Sequence, residues 1–449
     1  MKLKFLGAAG TVTGSSYILT SGSGQSILID LGMFQGTEKD DKFNYLPYEY
    51  DCSRLNAALL THAHLDHCGR LPILLSNGFT GDIWMTPATR DLTEITLLDS
   101  AKVARQDKKP ILYDKDLAEQ TIQKFQTIEY HEQKLIGDFT VTYYNAGHIL
   151  GSASIVIEDT KADSNFRRII FSGDIGNFPE PLQQSTEFLD STDVVVMEST
   201  YGDRLHPKED VVATVISEIN TVEKSGGVLL IPAFSLERTQ ELLHMFMHLK
   251  KENKIRHETP IFIDGPMGEK ATLIYNQYAK LFNSEVQSDF NHGNPFEFPG
   301  MQVVHSREQS EAIYETPGPK VIMAGSGMMT GGRIVGHAAH YLPMPSTRLL
   351  IVGYQGEETL GRQLMEGNRQ VMIDKQSISV KATVSDTQAM SSHADQSQLL
   401  EWLKAIKGVK RVILTHGEDT SRQALAEKIT TDLHLGDILL PRLNEELGL

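Results

Sequence analysis

A chain of 449 residues is too long for one small core and implies two or three domains. With 40% hydrophobic and 22% charged residues and no long uninterrupted apolar run, the composition excludes a membrane span. A formal net charge of −16 counts against a broad basic face that grips nucleic acid irrespective of sequence, although a bound metal can still create a phosphate site.

The opening "MKLKFLGAAGTVTGSS" reads as a first strand and not a signal peptide, because its short apolar stretch runs straight into glycines and hydroxyls. Cys52 and Cys68 are the only cysteines, which implies a reducing cytoplasm without a disulfide framework. Short β-branched or aromatic-rich runs follow, bounded by Gly, Asn or Asp, and read as strands. Each delivers a polar side chain where its apolar run ends. "SILID" ends at Asp30 and "NAALLTH" at His62; "FTVTYYNAGH" delivers His148, "RRIIFSGD" Asp174 and "DVVVMES" Glu198. Far downstream, "RVILTHG" delivers His416. One such residue at a strand end is ordinary turn chemistry. Six imply convergence on one edge of a layered α/β sheet, beyond the strand carboxyl ends where such folds bind ligands.

From about Leu205 the pattern changes to strand, glycine turn and helix, repeated. "GGVLLIPAF" precedes the helical "LERTQELLHMFMHLKKE", "TPIFIDGPMG" precedes "EKATLIYNQYAKLF", and "PKVIMAGSGMMTGG" precedes "RIVGHAAHYL". These are βα units, expected to pair in parallel with right-handed crossovers. Because His416 belongs with the early cluster, the middle is an insertion. The expected division is 1–205 and 356–449 for the first domain, with 206–355 inserted. "SISVKATVSDT" is assigned to the returning part. His337 and His340, at i and i+3 on the last of these helices, read as surface histidines.

The stretch "LLTHAHLDHCGR" carries His62, His64, Asp66 and His67 within six positions. Alternate residues at a strand end point the same way, so His62 and His64 can share one ion. Asp66 and His67 follow where the chain turns into the helix "CGRLPILLSN", an arrangement that suits a second ion. His148 and a bridging Asp174 would complete one site and His416 the other. Two ions ~3.5–4 Å apart can activate water and stabilise both the attacking and leaving oxygens of a phosphoryl displacement. Imidazole with carboxylate favours zinc, with manganese and iron as alternatives. Cys68 is not needed as a ligand. Asp30 reads equally as an acceptor that fixes a ring tautomer and as a turn residue.

"THAHLDH", with Asp30 upstream and His148 and Asp174 downstream, resembles the metallo-β-lactamase superfamily signature. "MESTYGDR" at Glu198, "SSHAD" at His393 and "LTHGE" at His416 are similar to three further motifs of its β-CASP branch of RNA-processing nucleases. The resemblance runs through nearly the whole chain. It implies an αββα metallo-β-lactamase sandwich carrying an inserted, Rossmann-like parallel α/β domain. It further implies two Zn2+, one on His62, His64 and His148, the other on Asp66, His67 and His416, with Asp174 bridging. Glu198 would orient His393, and His393 would protonate the leaving ribose oxygen. "SSHAD" departs from the commoner pattern in having Ser392 where many relatives have glycine, which bears on how this backbone meets a phosphate.

"AGSGMMTGGR" sits between a strand and a helix, where backbone N–H groups can cradle phosphate. Its spacing does not fit a dinucleotide fingerprint. Gly325, Ser326, Gly327 and Arg333 therefore read as phosphate contacts, with a tight packing turn as the equal alternative.

The expected activity is hydrolysis of single-stranded RNA to a 3′-hydroxyl and a 5′-phosphate, endonucleolytic first and 5′→3′ exonucleolytic second. Processive exonucleases of this branch tend to carry a C-terminal extension, and 33 residues follow His416. A hydrolase of small esters or phosphodiesters would have no use for the insertion, and an inactive scaffold would be expected to lack ligands. A homodimer is the oligomer the resemblance suggests.

Overall fold

Strand Ser26–Ile29 shows how the first unit is built. Ile27 and Ile29 enter one apolar cluster while Leu28, pointing the opposite way, enters another. A strand buried on both faces needs a continuous apolar run, and most of the runs that end in a site residue have this character. The computed structural model describes residues 1–36, 38–47, 50–106, 110–162, 166–356 and 358–449.

Two seven-stranded sheets make up this unit. One runs in the order Glu446–Gly448, Lys2–Phe5, Tyr17–Thr20, Ser26–Ile29, Leu55–Leu59, Asp82–Met85, Phe125–Thr127. The other runs Ile438–Leu439, Arg411–Leu414, Val194–Met197, Arg168–Phe171, Ala153–Asp159, Phe139–Asn145, Gln133–Ile136. Leu3, Phe5, Ile27 and Leu59 from the first sheet pack against Phe139, Ile155, Phe171 and Val196 from the second. Helices cover both outer faces. Leu71, Leu74 and Leu97 lie on the first sheet, and Leu399, Trp402 and Leu425 lie on the second. The unit is an αββα sandwich.

The second unit is a six-stranded parallel sheet in the order Met301–Val304, Ile261–Asp264, Lys320–Ala324, Val228–Pro232, Thr347–Ile351, Thr383–Asp386. Its helices include Val211–Ser225, Arg238–Lys251, Pro266–Tyr275 and Gly332–Tyr341. Leu230, Ile322 and Leu349 of the sheet pack with Ile334, Ala338 and Tyr341 of the last of these.

The chain leaves the first unit after Leu205 and returns at Ser392. The return expected at residue 356 therefore comes later. The segment containing "SISVKATVSDT" stays in the inserted unit because Thr383–Asp386 pairs in parallel with Thr347–Ile351 along its sheet edge. An apolar strand pattern cannot tell which of two sheets will accept it. His337 also differs from expectation. It is fully buried, with Nε2 2.6 Å from Asp264 Oδ2. No described helix is long and apolar enough to cross a membrane.

Candidate metal centre

In the first unit, the strand ends converge. Asp30 directly follows Ser26–Ile29, Glu198 follows Val194–Met197, and His416 lies two residues beyond Arg411–Leu414. His62 and Asp174 stand three residues past their strands, as does His148 beyond Phe139–Asn145. Asp66 and His67 sit on the short helix Leu65–Cys68, which is not continuous with Pro72–Ser76. That helix is seated by Leu31 N–H donating to the His67 carbonyl and Met33 N–H donating to that of Leu65, each at 2.8 Å. Gly32 lies between them, so close to the Asp66 carbonyl that an added Cβ would fall 1.5 Å from its oxygen. Only glycine lets the two backbones meet there.

Two groups of donor atoms face inward. His64 Nδ1 lies 3.1 Å from both His62 Nε2 and His148 Nε2, and Asp174 Oδ2 lies 3.4 and 3.6 Å from those same Nε2 atoms. In the second group, His67 Nε2 and His416 Nε2 are 3.1 Å apart, with Asp66 Oδ2 3.4 Å from His416 Nε2. Asp174 Oδ1 completes it at 3.3 and 3.7 Å from the His67 and His416 Nε2 atoms. One carboxylate thus divides its two oxygens between the groups. Oδ1 is buried without a hydrogen-bond partner, which is costly unless something positive meets it.

The outer partners set the tautomers. Thr61 donates its N–H to Asp30 Oδ1 and its hydroxyl to Asp30 Oδ2, each at 2.8 Å. His67 Nδ1 also lies 2.8 Å from Asp30 Oδ2, which can only accept. The Thr61 oxygen, having given up its proton, accepts from His62 Nδ1 at 3.1 Å. His148 Nδ1 donates to the Ser392 carbonyl at 3.2 Å. Those three rings therefore keep their Nε2 lone pairs for the centre, as metal-ligating histidines require. Asp30 itself stands where the chain turns, at φ +56°. Thr200, whose hydroxyl lies 3.1 Å from His416 Nδ1, and Thr61 were not singled out from sequence. Threonine beside a histidine is too common to mark a site.

Electrostatics agree with this geometry. Burial and the neighbouring rings hold His62 and His148 well below the ordinary imidazole value, and burial brings His64 to about 4. All three stay neutral. His67 is held well above its ordinary value against burial, by Asp174 and Asp30. Burial alone would raise Asp174, but His416 and His67 outweigh it and keep the carboxylate charged. A proton on His67 meets a demand for positive charge that a cation in the same place would also meet. The donor set thus fits two divalent ions.

His393 stands at the edge of the centre. Its Nδ1 is 3.2 Å from both Glu198 oxygens and its Nε2 is 4.0 Å from Asp174 Oδ2. Glu198 is buried, accepting from Ile175 N–H at 2.6 Å and Thr200 N–H at 3.3 Å. Burial opposes charge on His393, yet Glu198, Asp174 and Asp66 raise it to about 9. The residue precedes helix Gln396–Ala405, whose N-cap Asp395 closes a capping box with Gln398. Ser392 contributes its carbonyl, which accepts from His148 and from Asn177 N–H at 3.0 Å.

The remaining expected contacts lie in the inserted unit. Gly325, Ser326 and Gly327 follow strand Lys320–Ala324. A Cβ on Gly327 would fall 2.5 Å from the Phe234 ring, so packing accounts for that glycine. The Ser326 carbonyl accepts from Met329 N–H, and Gln355 donates to the Gly327 carbonyl. Arg333, expected at phosphate, pairs instead with Asp264 and donates to the Val304 and His305 carbonyls.

Comparison with known proteins agrees with both units. Residues 28–232 match the beta-lactamase superfamily domain, 239–364 the Beta-Casp domain, and 377–441 the Zn-dependent metallo-hydrolase RNA specificity domain. The chain belongs to the β-CASP branch of the metallo-β-lactamase RNA nucleases. It is 36% identical over 447 residues to Ribonuclease TTHA0252 of Thermus thermophilus, spanning 99% of each chain. It is 30% identical to transcription termination factor FttA of Methanosarcina mazei, over 94% of this chain and 68% of that one. With cleavage and polyadenylation specificity factor 73 of Drosophila melanogaster it shares 29% identity, over 95% and 61% respectively. A solved protein of unknown function from Enterococcus faecalis V583 shares the fold, with a TM-score of 0.56, 10% identity and 99% coverage of both chains.

Proposed function

We propose that the chain is a zinc-dependent ribonuclease that cuts single-stranded RNA internally, leaving a 3′-hydroxyl and a 5′-phosphate. The observation that carries the reading is the division of the two Asp174 oxygens between two three-residue groups, with the His393–Glu198 pair beside the same carboxylate. His62, His64 and His148 would hold one ion, Asp66, His67 and His416 the other. Bound there, two divalent ions would supply an activated water and neutralise charge that builds on the phosphate. Imidazole with carboxylate favours zinc.

The chain's own part is acid catalysis and positioning. Two backbone N–H groups hold Glu198, and its carboxylate takes His393 Nδ1. That leaves the Nε2 proton on the side of the centre. Raised to about 9, the ring is charged at neutral pH and can give this proton to the ribose oxygen as the P–O bond breaks. Thr61 and Asp30 keep the rings aimed while the substrate changes.

Digestion of matched 5′- and 3′-labelled RNAs tests the reading. Fragments of intermediate length are expected from both labels, those with the 5′ label ending in a 3′-hydroxyl and those with the 3′ label beginning with a 5′-phosphate. Mononucleotides released from the 5′ end would replace it with an exonuclease, and no zinc-dependent product would overturn it.

A further inference from the structure

A second convergence of histidines lies wholly within the inserted unit. His244 and His248 are one turn apart on helix Arg238–Lys251, so their side chains share a face. Asp289 projects from helix Ser284–Phe290. Both imidazole Nε2 atoms lie 2.9 Å from the same oxygen, Asp289 Oδ2, and 3.2 Å from each other.

Without an ion, two N–H groups would converge on one carboxylate oxygen with their dipoles nearly parallel at short range. With an ion, the three atoms form one face of a coordination tetrahedron. Ligands ~2.0–2.2 Å from zinc stand roughly 3.3 Å apart. The molecule repeats this geometry elsewhere. The His244 and His248 rings meet with centroids 4.7 Å apart at 83°, and His62 and His64 meet at 4.9 Å and 82°.

We infer that His244, His248 and Asp289 form a separate zinc-type divalent metal site that fastens helix Arg238–Lys251 to helix Ser284–Phe290. Its role is structural, since three protein ligands joining two helices resist their separation. The inference is independent of the activity proposed above.

Zinc is counted by plasma mass spectrometry on the full chain after chelation, reloading with zinc chloride and desalting. Comparing wild type with His248→Gln and with His244→Gln/His248→Gln isolates this site, whatever the other centre holds. Both variants are expected to retain about one zinc fewer per chain than wild type, the stoichiometry of one three-ligand site. Zinc should also raise their unfolding temperature less than that of wild type. Equal zinc content in all three proteins overturns the proposal. A readout on the unmutated chain covers a variant that does not fold. Carbethoxylation of the partly exposed His248 should fall severalfold when zinc is added, and unchanged modification overturns the site equally.

Discussion

Replacing Glu198 by Gln tests whether His393 is the acid and Glu198 its support. The change keeps the side chain's size and removes its charge. His393 is lifted from its ordinary 6.5 to about 9, with Glu198 first among the groups that raise it. That lift is worth roughly 3 kcal/mol in favour of the charged ring. Asp174 and Asp66 share in it, but cations held by those two carboxylates would cancel their contribution and leave Glu198 to hold the proton. The sign follows from a raised value. The charged ring persists below it, and the acid is lost as pH rises through it. In Glu198→Gln the alkaline limb of kcat/KM should therefore move down by about one to two pH units. Near pH 10 turnover should fall ~10–100-fold below wild type, with a much smaller loss near neutrality, where most of the ring keeps its proton. The assay is cleavage of labelled single-stranded RNA across about pH 6 to 10, with metal content measured on the same samples. An unmoved alkaline limb, or loss of metal, would refute the role given to Glu198.

His393→Ala should retain the metal content of wild type and slow cleavage by roughly 10²–10⁴; metal loss there would make His393 a ligand. Asp66→Ala removes a charged oxygen from the second donor group and should lose both metal and cleavage, checked by metal analysis and the same RNA assay. Gly32→Ala places a Cβ 1.5 Å from the Asp66 carbonyl oxygen, so the segment carrying Asp66 and His67 must shift. It should destabilise the chain by roughly 2–4 kcal/mol, read from the urea midpoint, and lower metal occupancy with it.

The apolar runs made most of the sandwich legible, because strands buried on both faces have to be continuously apolar. Their last residues pointed to the site because the strand ends share one edge. What stayed hidden was whatever depends on backbone angles or on contact between distant segments. Asp30 and His416 adopt φ of +56° and +48°, uncommon outside glycine, and no residue pattern announces this. Thr61 and Thr200 act only through geometry. Arg333 looked like a phosphate ligand because a glycine loop precedes it, yet Asp264, 69 positions earlier, claims its guanidinium. His244 and His248 stand at i, i+4 within a run that reads only as a helix, and nothing near them in the chain points to Asp289, which both rings meet.

The acidity of the chain is easier to reconcile with RNA once the first unit's site is seen as a charge problem. Asp30, Asp66, Asp174 and Glu198 are gathered in or beside one centre, three of them almost wholly buried. As bare carboxylates they would repel a phosphate. Burial makes them expensive unless cations answer them, and the strongly perturbed His67 and Asp174 show how far the chain must go with protons alone. Positive charge supplied locally by bound ions would let a chain of net charge −16 take a polyanion at one point without a basic surface. Affinity built this way should show a shallow salt dependence, because few lysine or arginine contacts would displace counterions along the RNA.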